Sequence, residues 1–251
     1  MSVDRSGWLA VACALALAAC GGPGKAATDT GAAPEGPAAT AATAATAAPA
    51  QPAAGGFAVL PALPGSETDG LGIREPLKLV HYRDTAGEGL LVLTRTDTRT
   101  HDADSDQDMD VATLTATLYG RATADAPFVQ RWQSESPTEC EGLDLDAGYF
   151  LDQVGASDLD ADGVAELTLA SHSFCGGGVD PQQIVIELRR DNDVYRIDGE
   201  SLVTIEGDAP FGGERQDSAS YKDAPPLFQK HMDAVWKAVY TRRGGQDAAT
   251  P

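Results

Sequence analysis

From Val111 to Tyr119 the chain alternates without interruption, with Ala112, Leu114, Ala116 and Leu118 on one parity and Thr113, Thr115 and Thr117 on the other. A two-residue period cannot lie along a 3.6-residue helix; it describes a half-buried strand with one apolar face. The same parity sets Leu167 and Leu169 opposite Glu166 and Thr168, and Ile184, Ile186 and Leu188 opposite Val185, Glu187 and Arg189. Further strands are expected from Leu77 to Tyr82, Leu90 to Thr96, Phe128 to Gln133 and Val194 to Ile197, separated by turn signals such as Gly87-Glu88-Gly89 and Asp191-Asn192-Asp193. Near the end the period changes. Phe228, Met232, Val235, Trp236 and Val239 fall at helical spacing, with Asp223 as a cap, Pro225 and Pro226 around the first turn, and Arg242, Arg243 and Gly244 at the stop. The expected fold is mainly β (α+β), an antiparallel sheet domain closed by one C-terminal amphipathic helix whose apolar stripe packs on the sheet.

The region preceding these elements has a different composition. Residues 23–56 are almost entirely Ala, Thr, Pro and Gly; too little apolar surface is available there to offset chain entropy, so a disordered tether is expected. Upstream, Arg5 precedes an apolar run from Trp8 to Ala19, of a length suited to a signal peptide and too short to span a bilayer. Leu17-Ala18-Ala19-Cys20 resembles the lipobox of bacterial lipoprotein precursors. That resemblance implies cleavage before Cys20, acylation of its thiol and anchoring to a membrane by several acyl chains. Gly21, where inner-membrane retention would call for Asp, directs the expectation to the outer membrane. The expected organisation is a signal peptide over 1–19, a lipid-anchored linker over 20–56, one β-rich domain over 57–243 and a flexible tail over 244–251.

Loss of Cys13 with the signal peptide and lipidation of Cys20 would leave Cys140 and Cys175 in an oxidising compartment, so a Cys140 to Cys175 disulfide is expected. His81, His101, His172 and His231 are scattered singly and form no zinc-binding spacing. The formal net charge of -20 repels nucleic acid and anionic lipid and attracts cations.

The segment richest in chemistry is Asp158-Leu159-Asp160-Ala161-Asp162-Gly163-Val164-Ala165-Glu166. Carboxylates at positions one, three, five and nine, a turn-forming glycine at six and a backbone carbonyl at seven can gather oxygens around calcium. Leu169 at position twelve, with an apolar strand beyond, rules out an EF-hand. The segment resembles the Asp-x-Asp-x-Asp-Gly-x-x-Asp loop of FG-GAP and integrin-propeller calcium sites. By that resemblance Asp158, Asp160, Asp162 and Glu166 are side-chain ligands and Val164 the backbone ligand, with Glu166 standing where that loop usually carries Asp. The alternative is an acidic turn that holds no ion. A second acidic stretch, from His101 to Asp110, lacks a glycine to fold it around a cation and is expected to be a solvated hairpin connection.

A wider resemblance runs from Thr138 to Gly199. Glu139-Cys140, the segment from Ser157 to Glu166, Cys175, Val179-Asp180-Pro181 and Tyr195-Arg196-Ile197-Asp198-Gly199 follow one another as in an uncharacterised family of exported bacterial proteins, some labelled for surface polysaccharide biosynthesis. No Gly-x-Ser-x-Gly elbow or phosphate-binding glycine loop is present, and His172 to Gly178 reads as a flexible loop. The expected function is an outer-membrane-anchored binding or envelope-structural module, calcium-stabilised, with cell-envelope glycan or protein as partner and no nucleic acid. The alternative is an enzyme acting on cell-surface polysaccharide; an aromatic-lined groove around two carboxylates at glycosidase separation would favour it, and a closed surface would favour the module.

Overall fold

The computed structural model describes residues 56–102 and 106–241. The expected signal peptide, Cys20, the linker, the helix stop at Arg242 to Gly244 and the tail lie outside the described residues. Two antiparallel sheets make up most of the fold. The first is a meander of β1 (Ala58–Val59), β2 (Lys78–Asp84), β3 (Gly87–Asp102), β4 (Gln107–Arg121) and β5 (Val129–Glu141), in that spatial order, with α1 (Gly65–Gly70) between β1 and β2. The second contains β6 (Asp144–Tyr149), β7 (Gly155–Ser157), β8 (Glu166–Gly176), β9 (Gln183–Arg190) and β10 (Asp193–Glu200). Both β6 and β7 pair with β8. β11 (Leu202–Val203) and β12 (Phe211–Gly212) form a small ribbon, and β13 (Arg215–Asp217) completes the second sheet beside β10. Two helices, α2 (Ala219–Lys222) and α3 (Pro226–Val239), close the described chain.

The parity of β4 is realised as far as Ala116; beyond it Thr117 is buried as well and Leu118 is only half-buried. Ala112, Leu114 and Ala116 are buried and pack, with Val80, Leu91 and Leu93, against Ala147, Val154 and Leu169 of the second sheet and its connections. On the other side of the second sheet, Ile184, Ile186, Leu188 and Ile197 receive Phe228, Met232, Val235, Trp236 and Val239 of α3. The molecule is therefore layered sheet, sheet, helix. The second sheet is covered on both faces, so β8 does not alternate between core and solvent: Glu166 and Thr168 are buried along with Leu167 and Leu169.

Three boundaries differ from the expectation. Gly87-Glu88-Gly89 is not a turn but the start of β3, paired with Asp84, Arg83 and Tyr82; the reversal comes earlier, where Asp84 Oδ1 accepts from the backbone N–H of Ala86 at 2.8 Å. Asp223 does not cap α3, because a short helix intervenes: Ser218 caps α2 by accepting from Tyr221 N–H, Asp223 ends α2, and Pro225 precedes α3. His172 to Gly176 is not a loop; these residues continue β8, paired with β6 as Leu145 opposite Cys175 and Asp144 opposite Gly176.

The disulfide joins Cys140 of β5 to Cys175 of β8, with a Cα–Cα separation of 5.3 Å, inside the range that unstrained bridges adopt. It staples an edge of the first sheet to β8 of the second, which lies between β9 and the strands β6 and β7. The stretch from His101 to Asp110 lies at the far end of the β3–β4 ladder, where Asp102 pairs with Gln107. Two of its carboxylates are paired locally, Asp108 with Arg99 at 2.9 Å and His101 at 2.9 Å, and Asp110 with Arg99 at 3.6 Å. Among the described residues no helix is long and apolar enough to cross a membrane.

Candidate metal centre

The acidic loop connects β7 to β8, so its two ends are held by ladder partners: Ser157 opposes Glu166 and Ala156 opposes Leu167. Between them the chain turns through positive φ at Ala161 (60°) and Gly163 (84°). A side chain at Gly163 would be strained on both counts, since its Cβ would lie 2.8 Å from Thr85 Cγ2. Backbone donors converge on the carboxylates. Asp158 Oδ1 accepts from Asp162 N–H at 3.0 Å and Asp158 Oδ2 from Gly163 N–H at 3.1 Å, while Asp162 Oδ1 accepts from Val164 N–H at 2.9 Å. Glu166 Oε2 accepts from Leu159 N–H at 2.7 Å. The loop is also fastened to the β2–β3 turn, where Thr85 N–H donates to Gly163 O at 2.9 Å and Ala165 N–H to Asp84 Oδ2 at 3.2 Å.

This folding brings Asp158, Asp160 and Glu166 together, with one oxygen of each lying within 4.8 Å of the others. Oxygens bound to a common calcium at 2.3–2.6 Å can be at most about 5 Å apart, so the three meet the distance condition for a shared cation. The electrostatics point the same way. Glu166 is fully buried, yet its Oε1 accepts no hydrogen bond from any described residue, and neither does Asp160 Oδ1. Burial pushes the Glu166 carboxyl up to about 6, with Asp160 and Asp158 adding to the rise against the Leu159 N–H and Arg190. An ionised carboxylate oxygen left in that state is costly unless a cation meets it. Asp158, Asp160 and Glu166 could thus hold a metal ion.

Asp162 departs from the expected ligand set. Its Oδ2 is hydrogen-bonded by Arg190 at the end of β9, and it stands outside the group of converging oxygens. Val164, expected to contribute its carbonyl, is placed by its N–H bond to Asp162. Two residues were missed by sequence reasoning. Arg190 lies on another strand, and Asp84 on the other sheet; the only local signal for Asp84 was the Asp-Thr-Ala-Gly run that turns β2 into β3.

Beside the loop, the ends of the two sheets enclose a groove of about 720 Å3. Tyr82, Trp132 and Leu118 line it from the first sheet, and Ala165, Leu167 and Arg189 from the second, with the Arg189 guanidinium 4.6 Å from the centre of the Trp132 ring. A bulge in β5, where Leu118 opposes Trp132 but Tyr119 opposes Gln130, inserts Arg131 as the extra residue and lets Arg131 and Trp132 both line the groove. Of the carboxylates that line the groove, Asp84, Glu88 and Asp191, the first two are engaged. Glu88 accepts from Arg83 at 2.8 Å and from Arg121 at 2.8 Å and 2.6 Å. Although burial alone would raise its carboxyl, these guanidinium partners, with His81, hold it down at about 2. Asp84 gives both oxygens to backbone N–H groups.

Comparison with known proteins finds no matching family model, no matching curated protein and no matching solved structure.

Proposed function

We propose that this chain is a lipid-anchored module of the bacterial outer membrane, in which the loop from Asp158 to Glu166 binds calcium and secures a β domain that binds a component of the cell envelope. The reading is carried by one observation: a fully buried Glu166 whose Oε1 is without a hydrogen bond, and whose carboxylate offers an oxygen within 4.8 Å of Asp158 and Asp160 oxygens. Calcium suits such a site because it accepts irregular shells of six to eight oxygens, whereas magnesium demands a near-octahedral one. The remaining positions would be filled by backbone carbonyl or water. The lipobox supports the address, and the Cys140–Cys175 bridge is in keeping with an oxidising compartment.

Binding is favoured over hydrolysis by the state of the groove. Glycoside hydrolysis needs a carboxylic acid that retains a proton near neutral pH beside an ionised partner. Glu88, held at about 2 by its arginines, cannot serve as that acid, and both oxygens of Asp84 accept from backbone N–H groups. The test is thermal unfolding of the full-length chain with calcium and with a chelator. A higher melting temperature in calcium, lost in Asp160→Ala, supports the reading; identical melting in both conditions rejects it.

A further inference from the structure

We infer that Arg190 is the loop's internal cation, and that calcium binds by exchanging with its guanidinium at Asp160 and Asp162. This rests on reading the loop as a calcium site. Arg190 is the last residue of β9 and reaches three carboxylates of the loop at once. Its Nη1 lies 3.2 Å from Asp160 Oδ2, its Nη2 donates to Asp162 Oδ2, and its Nε stands 3.6 Å from Glu166 Oε1. That last separation is too long for a hydrogen bond, which is why Glu166 Oε1 keeps an open lone pair. The acidic cluster therefore includes a fully buried carboxylate with one oxygen, Glu166 Oε1, that neither the arginine nor any other described group satisfies by a hydrogen bond.

The guanidinium also accounts for Asp162, whose Oδ1 is taken by Val164 N–H and whose Oδ2 is taken by Arg190. A dication between Asp158, Asp160 and Glu166 would sit a few ångströms from a permanent positive charge on shared ligands, and the two repel. The ion gains Asp162 and the second oxygen of Asp160 only if Arg190 leaves. A released guanidinium has neighbours at hand: the Phe228 ring, with its centre 6.0 Å from Arg190 Cζ, and the adjacent Asp191 carboxylate. The consequence is a loop that stays folded without metal, because Arg190 offsets part of its charge, and that binds calcium more weakly than its carboxylates alone would.

Calorimetric calcium titration of the full-length chain and its Arg190→Gln and Arg190→Lys variants tests this, with melting temperatures recorded in chelator and in saturating calcium. Arg190→Gln should bind calcium at least tenfold more tightly, melt lower than wild type in chelator, and melt close to wild type in calcium. Arg190→Lys keeps a charge but cannot span three carboxylates, so its affinity should fall between the two; it also carries the test if the glutamine variant does not fold without metal. Wild-type binding with unchanged or weaker affinity in the folded variants overturns the exchange and leaves the calcium reading intact. No binding by any of the three overturns both.

Discussion

Glu166 Oε2 accepts a 2.7 Å hydrogen bond from the backbone N–H of Leu159, seven residues earlier, so the first residue of β8 closes the loop that leads into it. One oxygen of this buried carboxylate thus organises the loop, while the other accepts no hydrogen bond and the group lies against Asp158 and Asp160. Glu166→Gln separates the two roles. Glutamine can accept the same N–H bond and buries no charge, so the metal-free variant should remain within about 1 kcal/mol of wild type, while its calcium affinity falls at least tenfold. Glu166→Leu strands the Leu159 N–H and should cost about 1–3 kcal/mol even without metal. Urea unfolding with and without calcium measures both.

Gly163→Ala probes the turn itself. With φ at 84° and a new Cβ 2.8 Å from Thr85 Cγ2, the variant should lose about 1–3 kcal/mol and bind calcium more weakly, since Asp158 Oδ2 depends on the Gly163 N–H. Alanine at Gly177, which has open space around its Cβ position, is the control and should melt like wild type.

A separate pH dependence comes from Glu88. Its folded carboxyl, at about 2, lies below its ordinary value of 4.5, so its ion pairs contribute stability that is complete above the unfolded value and is lost as pH falls from about 4.5 towards 2. Glu88→Gln should flatten that limb of the stability curve. At neutral pH it should also cost about 1–3 kcal/mol, because Arg121 and Arg83 lose their charged partner, although Arg121 keeps Glu67 at 2.9 Å. Chemical denaturation between pH 2 and 7 checks both effects; a parallel acid limb in the variant would remove Glu88 as its source.

How far the site could be read in advance follows from these residues. The strand period at Ala112 to Leu118 and the helical period at Phe228 to Val239 are local patterns, and both elements formed where the patterns lay. The three-layer arrangement was not legible, because whether Glu166 and Thr168 face water depends on α3 packing over the second sheet some sixty residues later in the chain. The same limit hid Arg190. An arginine at the end of a strand has many partners within reach in sequence, and only the β8–β9 pairing, with Leu167 opposite Arg189, carries it to the acidic loop. Spacing pointed to Asp158, Asp160 and Glu166, which converge; it could not show that Asp162 is engaged by Arg190, because that cation comes from another strand.

The Cys140–Cys175 bridge closes a separation of 35 residues, and in the chain-entropy model its removal should cost roughly 4 kcal/mol. Cys140→Ala with Cys175→Ala should lower the unfolding free energy by that amount without changing calcium affinity, since neither cysteine belongs to the loop. Thiol counting on denatured, unreduced protein should find neither Cys140 nor Cys175 free.

Lipid attachment is tested at Cys20. Cys20→Ser should abolish metabolic palmitate labelling and release the protein from the membrane fraction; labelling that persists in the variant rejects the anchor.

The central claim is that the loop from Asp158 to Glu166 is a calcium site, and isothermal titration of calcium into the full-length chain tests it most directly. The account predicts one ion per chain at an affinity on the order of 10⁻⁴ to 10⁻³ M, as in extracellular calcium modules, with magnesium binding more weakly and no calcium binding by Asp160→Ala. At a hundredfold excess over Kd the bound ion should add about 2.7 kcal/mol to stability. A titration that shows no calcium binding at millimolar concentration would contradict the account and leave the loop an acidic turn held by Arg190.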